Sequence, residues 1–396
     1  MSLQDVSNTL ILDIGSASIK AGVATESLPA VVFPSVVGIP AKKTGILKKK
    51  TVSSSDEANL PSHIVGHEAL HNLHRCTVTY PIERGVVQNW AYFEHIIQHC
   101  LTDLQLDAES TGVVLTELPF SPKGNVERIA QTLFEAFNIP QLAVIPSGLC
   151  ALYASGRTTG VVLDSGAGVT HITPVFDSFI ASNAINRINF GGDDVTQHLK
   201  TILFERGLNF TSPVDLLQVK KIKEQLCFVS QDYENDVKPA TDEGSFLEDF
   251  RLPDGQSVAL GKERFRAAEI LFNPSILQSE LPPLGDFVAE CVKRCGIDIR
   301  KALMGNIVLC GGNTMFEGFG KRLETDATRH FPGLFGSVKV IDSADRLFSV
   351  WAGASVVANL PTFSSNIITN EVYQEHGPSI VHGYQKPHED TDAVDA

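Results

Sequence analysis

Apolar residues recur along the chain in two rhythms. Phe93, Ile96, Ile97, Cys100 and Leu101 fall at i, i+3, i+4, i+7 and i+8, and Val126, Ile129, Ala130, Leu133, Phe134 and Phe137 repeat that spacing. Both sets predict amphipathic helices with one stripe turned to a core. Short unbroken apolar runs at 9–12, 113–115, 161–163 and 307–309 show no polar alternation, which predicts strands covered on both faces. Strands alternating with helices point to an α/β layer architecture. Three stretches carry neither rhythm. Lys-rich, Ser-rich 41–62 and acidic 232–249 predict surface insertions in loop form, and carboxylate-rich 385–396 predicts a mobile tail.

The pattern also repeats itself. Leu12-Asp13-Ile14-Gly15-Ser16-Ala17 and Leu163-Asp164-Ser165-Gly166-Ala167-Gly168 each put an Asp at the end of an apolar strand, then a turn of small residues, then a second apolar strand at 19–23 or 169–175. Strand-Asp-Gly hairpins are common locally, but two copies predict a duplicated domain. A third glycine turn, Cys310-Gly311-Gly312-Asn313-Thr314, follows the run at 307–309. Such turns let backbone N–H groups approach phosphate oxygens with no Cβ in the way. Any one of them reads as an ordinary turn; three, each closing a buried strand and two carrying Asp, favour a nucleotide. Asp13 and Asp164 would then face one another across a cleft, suited to a hydrated Mg²⁺ on a polyphosphate. Lys20 sits between apolar Ile19 and Ala21, a setting better explained by burial beside phosphate than by a solvated strand lysine. No GxxxxGK[ST] occurs and no GxGxxG leads from a strand into a helix, so P-loop and Rossmann chemistry are unsupported.

Composition narrows the class. With 396 residues and 43% hydrophobic content, the chain has ample core for two or more domains. Its 46 acidic against 32 basic residues, net charge -14, disfavour bare nucleic acid and anionic membrane as partners. Cys76, Cys100, Cys150, Cys227, Cys291, Cys295 and Cys310 are odd in number and lack paired CxxC spacing. They read as reduced thiols of a cytosolic or nuclear protein. Cys291 and Cys295, one helical turn apart, have no His or second Cys pair to complete a zinc set and read as core thiols. The first residues lack a basic start and a small-residue cleavage site, and no apolar run reaches the roughly 18 residues of a spanning helix; the expectation is a soluble protein that is not secreted.

These residues carry a resemblance over nearly the whole chain. The run from Asp13 to Gly22 resembles the first phosphate loop of actin and the actin-related proteins. In order follow Phe33-Pro34-Ser35-Val36-Val37-Gly38, Tyr80-Pro81-Ile82-Glu83, Leu115-Thr116-Glu117, Tyr153-Ala154-Ser155-Gly156-Arg157-Thr158-Thr159-Gly160 and 161–171. Then come 251–255, Glu263-Arg264-Phe265-Arg266, Gly311-Gly312, Ser349-Val350-Trp351 and Gly377-Pro378-Ser379-Ile380-Val381-His382. The resemblance implies the actin-like, ribonuclease H-like duplicated α/β fold, with ATP or ADP and Mg²⁺ or Ca²⁺ between two halves. The halves would be 1–152 completed by 347–384, and 153–346. Gly15, Ser16, Ala17, Lys20, Asp164, Gly166, Ala167, Gly168 and Val169 would lie at the phosphates, with Asp13 and Asp164 reaching the metal through water. Lys223 and Glu224 would meet the ribose and adenine, Gly311, Gly312, Met315 and Phe316 would close over the nucleoside, and Gly192, Lys220 and Asn313 would also belong to the nucleotide site. Without the resemblance, Lys223 and Glu224 read as an exposed helix ion pair.

Several positions depart from the family. Actins position the attacking water with a glutamine where this chain has Ser147, and carry Asp where it has Ala167; His171, the other water-orienting side chain, is kept. Loss of a water-orienting group costs roughly 10² to 10⁴ in rate, so the expectation is a weak ATPase at most. Leu347 replaces an adenine-side lysine, Arg84 the methylated histidine, and 277–285 the plug-like segment. The reading is therefore an actin-related subunit, resembling members close to conventional actin, including the dynactin type. It would act in the cytoplasm as part of a filament, a motor-associated complex or a ciliary assembly. Its partners would be proteins, itself or other actin-family subunits among them, with a helix docking near Tyr153, Ala154, Gly156 and Thr158. Direct nucleic-acid contact and membrane insertion are not expected. The alternatives are a nuclear subunit of a chromatin-remodelling complex and, further off, a phosphotransferase of the sugar-kinase and heat-shock chaperone superfamily.

Overall fold

The computed structural model describes residues 6–40, 61–238, 243–334 and 336–383. The basic segment 41–62, except for its last two residues, and the tail 385–396 lie outside the described residues.

Among these residues stand two six-stranded mixed sheets built to one plan. In the first, Asn8–Ile14 pairs antiparallel with Ser18–Val23 on one side and parallel with Thr111–Glu117 on the other. Gln141–Pro146 and Ile368–Thr369 extend one edge, and Val31–Pro34 the other. In the second, Gly160–Ser165 pairs antiparallel with Thr170–Phe176 and parallel with Ile307–Cys310. Val340–Ile341 extends this sheet beyond Ile307–Cys310, while Phe179–Ile180 and Asn186–Ile188 flank the hairpin. The apolar runs of the sequence are the middle strands, with Leu10, Ile11, Leu12, Val161, Val162 and Leu163 fully buried. The internal repeat thus appears in the pairing itself. Asp13 stands opposite Lys20 in the first hairpin, and Asp164 opposite His171 in the second.

Both periodic segments are helices. Trp90–Asp103 is capped by Asn89, whose side chain accepts from the Tyr92 N–H at 3.1 Å, and its stripe from Phe93 to Leu101 is buried. Lys123–Gln131 runs on into a wider π turn, Thr132–Ala136. The sheets are joined through two further helices, Ser147–Ala154 and Ser349–Ala358. A Cβ at Gly353 would fall 1.7 Å from the Cys150 carbonyl oxygen, so the crossing requires glycine. One core cluster takes Ile11 and Val114 from the first sheet, Val162 and Val308 from the second, and Cys150 and Trp351 from these helices. The Trp351 indole N–H donates to the Ile11 carbonyl at 3.2 Å.

The loop expected at 232–249 is corrected in part. Tyr233–Asp236 is a helical turn, and Glu248–Arg251 is a strand paired with Ser257–Leu260. A single inward residue, Phe250, anchors that strand while Glu248 and Asp249 face solvent, so its acidity hides its period. All seven cysteines are free and buried, and no described helix is long and apolar enough to cross a membrane.

Candidate functional site

The ends of the two hairpins face a cavity of about 490 Å³. From the first hairpin come Asp13, Gly15, Ser16, Ala17 and Lys20; from the second, Asp164, Gly166, Ala167, Gly168, Val169 and His171. Gly192 opens the helix Gly192–Glu205, and Lys220, Lys223 and Glu224 sit on Pro213–Leu226. Gly311, Gly312, Asn313, Met315 and Phe316 follow the strand Ile307–Cys310. Every site residue expected from the sequence lines this one cavity, together with Ser147 and Leu347. The lining also includes Val32, His67, Leu118 and Asp193, which no motif marked, and Phe33 and Pro34, which lie in a matched run but were not assigned to the site.

Lys20 is not a solvated strand lysine. Its ammonium donates to Asp13 Oδ2 at 2.8 Å, and the other Asp13 oxygen accepts from Thr116 Oγ1 at 2.9 Å. Burial alone would lower the Lys20 pKa, but the Asp13 carboxylate and its hydrogen bond, with the charge of Asp164, hold it above its ordinary value. Asp13 thus has an oxygen committed to each partner and would meet a cation through water. Among the described residues no group of three or more His, Cys, Asp or Glu is arranged to bind a metal directly.

Lys223 is buried, and its Nζ donates to the Gly192 carbonyl at 2.8 Å. Burial lowers its pKa, the nearby Glu224 opposing. The exposed ion pair that helix spacing alone suggested is therefore not formed by Lys223. Asn313 Nδ2 donates to Ser165 Oγ at 2.8 Å, Ser165 Oγ lies 2.7 Å from Thr170 Oγ1, and Thr170 donates to the Phe190 carbonyl at 2.7 Å. Since the carbonyl only accepts, the relay runs one way and fixes the Asn313 amide with its Oδ1 away from Ser165. That oxygen is buried with no partner.

Gly311 shows why the third turn is glycine. Its φ is 86°, and a Cβ there would fall 2.3 Å from the Ser165 carbonyl oxygen and 2.5 Å from Asp164 Oδ1. The turn is held from behind by Arg346, whose guanidinium donates to the Thr314 carbonyl at 2.9 Å while the Arg346 carbonyl accepts from the Gly311 N–H.

Ser147 and His171 meet at the floor. Ser147 Oγ lies 3.3 Å from His171 Nε2, and Asp164 Oδ2 lies 3.6 Å from the same nitrogen. In a nucleophilic triad the serine and the carboxylate bind opposite ring nitrogens; here both crowd Nε2, and buried Nδ1 has no partner. Burial, only partly offset by Asp164, lowers the His171 pKa and keeps the ring neutral. Cys310, a fully buried thiol, has its pKa raised by burial, then by the charge of Asp164 and a hydrogen bond to it. The sequence reading missed this contact.

Compared with known proteins, the chain is matched by the family model described as Actin over residues 4–386.

Proposed function

The chain belongs to the actin family, and from that premise we propose that it is an actin-related structural subunit that holds ATP or ADP with Mg²⁺ or Ca²⁺ in its cleft, with hydrolysis slow or absent. Actin-family proteins generally bind nucleotide with a divalent metal. The observation that carries the reading is the convergence of three glycine turns, Lys20 and the carboxylates of Asp13 and Asp164 on one cavity. The residues fit such a ligand: the cavity is lined by Lys20 and the glycine turns, and the buried Asn313 Oδ1 that lies at it lacks a donor.

A bound nucleotide would supply the phosphoanhydride, and its metal would spread the charge that develops there. Lys20, kept charged by Asp13, would offset phosphate charge, and Asp13 and Asp164 would hold metal-bound water. Phosphoryl transfer relies on positioning rather than on covalent help, and the positioning groups are depleted. The Ser147 hydroxyl, at the cavity wall, lies 3.3 Å from His171 Nε2 and is too short to reach further, and the Ala167 side chain offers no oxygen. His171, the family's other water-orienting side chain, is kept.

The role would be architectural, in a cytoplasmic cytoskeletal assembly. Ala154, Gly156 and Thr158 are exposed beside half-buried Tyr153, and Val356 and Leu360 add apolar exposure on and after the helix packed against them. We assign a partner's amphipathic helix to this face.

A single-turnover assay with labelled ATP tests the proposal. The expected result is tight binding with release of phosphate on a scale of hours. Absence of binding would remove the nucleotide from the account, and turnover as fast as that of conventional actin would remove the slow-hydrolysis claim.

A further inference from the structure

The two sheets are tied together at one turn whose backbone does not suit the residue it carries. The short hairpin of Ile82–Glu83 and Val86–Val87 is closed by Arg84 and Gly85, with φ of 47° and 76°. Two successive left-handed residues make a type I′ turn, in which Asn, Asp or Gly is favoured at the first position. A long side chain with a Cβ is disfavoured there, and strain of this kind directs attention to what the side chain does.

The Arg84 guanidinium crosses to the second sheet. Nη1 donates to the Gly168 carbonyl at 2.9 Å and also to the Asn189 carbonyl, and Nη2 lies 3.5 Å from Asp194 Oδ1. Asp194 in turn accepts from the Gly191 N–H at the start of the helix that follows. Arg187 answers from the other side, donating to the Arg84 carbonyl at 2.8 Å and to the Pro119 carbonyl at 2.9 Å. The next residue reaches the opposite loop, since the Gly85 N–H donates to Ser16 Oγ at 2.8 Å. Two adjacent residues therefore hold the first-sheet turn at Ser16 and the second-sheet turn at Gly168, the two that face each other across the cleft.

We infer that Arg84 is a positioning residue that sets the spacing of these two turns and thereby slows the loss of a bound nucleotide. This rests on the nucleotide reading above. A guanidinium fork can serve two carbonyls and a carboxylate together, whereas a lysine ammonium at the same place is a point donor. The clamp is part-exposed, with 37% of the Arg84 side chain accessible, which tempers the effect of its loss to roughly 10-fold in dissociation rate.

The test compares the native chain with Arg84→Asn and Arg84→Lys. Asn suits the left-handed turn better than Arg, so it removes the clamp without burdening the hairpin. Chase of an etheno-ATP complex should show release roughly 10-fold faster in Arg84→Asn, with Arg84→Lys between the two. Hydrogen exchange of nucleotide-free protein should quicken at 166–170 and not across the chain, at an unchanged or higher melting temperature. Native-rate release from Arg84→Asn would overturn the inference, as would a loss of exchange protection spread over the whole chain. Should the native chain fail to bind etheno-ATP, the nucleotide reading falls first, and unchanged exchange at 166–170 would then overturn the positioning role as well.

Discussion

Ser147 Oγ and Asp164 Oδ2 share one nitrogen of a neutral His171, at 3.3 and 3.6 Å, and this crowding defines what the site can do. A longer side chain at 147 would reach past the ring into the cavity. Ser147→Gln should raise single-turnover ATP hydrolysis by roughly 10-fold or more, and Ser147→Gln with Ala167→Asp further still; unchanged rates in both variants would show that hydrolysis is limited elsewhere. At Gly311 the effect is on the fold and the ligand together. Gly311→Ala places a methyl 2.3 Å from a carbonyl at a φ of 86°, which should cost about 2 kcal/mol or more in chemical denaturation and abolish nucleotide retention. The Asp13–Lys20 and Asp164–His171 pairings show what was legible at this scale. In each copy a basic side chain follows the Asp at the same interval, a signal that comparing the two copies would have found. The Ser147–His171 contact joins a helix to a strand, and no local pattern foretells it.

Among elements, the segment that enters the small sheet of Val37–Pro40, Ile64–Val65 and Cys76–Thr79 is docked through histidines. The His63 ring stacks on His95 of Trp90–Asp103 with centroids 4.1 Å apart, and Tyr92 flanks it at 5.8 Å. Burial lowers the His95 pKa, the charge of His63 lowers it further, and only Glu94 opposes. The docked form thus favours neutral His95, and the undocked form binds protons more readily below its ordinary value of 6.5. Docking is therefore full above that pH and weakens as pH falls through it. Hydrogen exchange at 61–71, corrected for intrinsic rate, should rise between pH 7.5 and about 5.5, and His95→Phe, which keeps a stacking ring but takes no proton, should flatten the rise. An equal rise in the variant would assign the effect to other groups. The helices and central strands were legible because their burial is periodic or complete. Glu248–Arg251 was not, because one buried Phe among carboxylates leaves no rhythm to read. Arg84 was legible as a family departure, but its reach to Gly168 and Asp194 depends on a turn conformation that sequence spacing does not specify.

For the molecule as a whole, the same hairpin-and-parallel-strand plan occurs twice, and the copies meet over a shared core at Trp351 and over the cleft. A ligand that touches both sheets stabilises them as a unit. Saturating Mg-ATP, at about a hundredfold excess over Kd, should add about 2.7 kcal/mol to unfolding and raise the melting temperature by a few degrees. The helix crossing at Gly353 lies in the core that joins the two sheets, so Gly353→Ala should lower stability by about 1–3 kcal/mol, read in denaturant. The central claim is that this cleft holds a nucleotide and scarcely hydrolyses it. Its most direct test is the nucleotide content of the chain purified without added nucleotide, after brief incubation with Mg-ATP and gel filtration. An equimolar adenine nucleotide, still mostly ATP after several hours, is the expected result; a chain that elutes empty, or that carries only ADP within minutes, would contradict it.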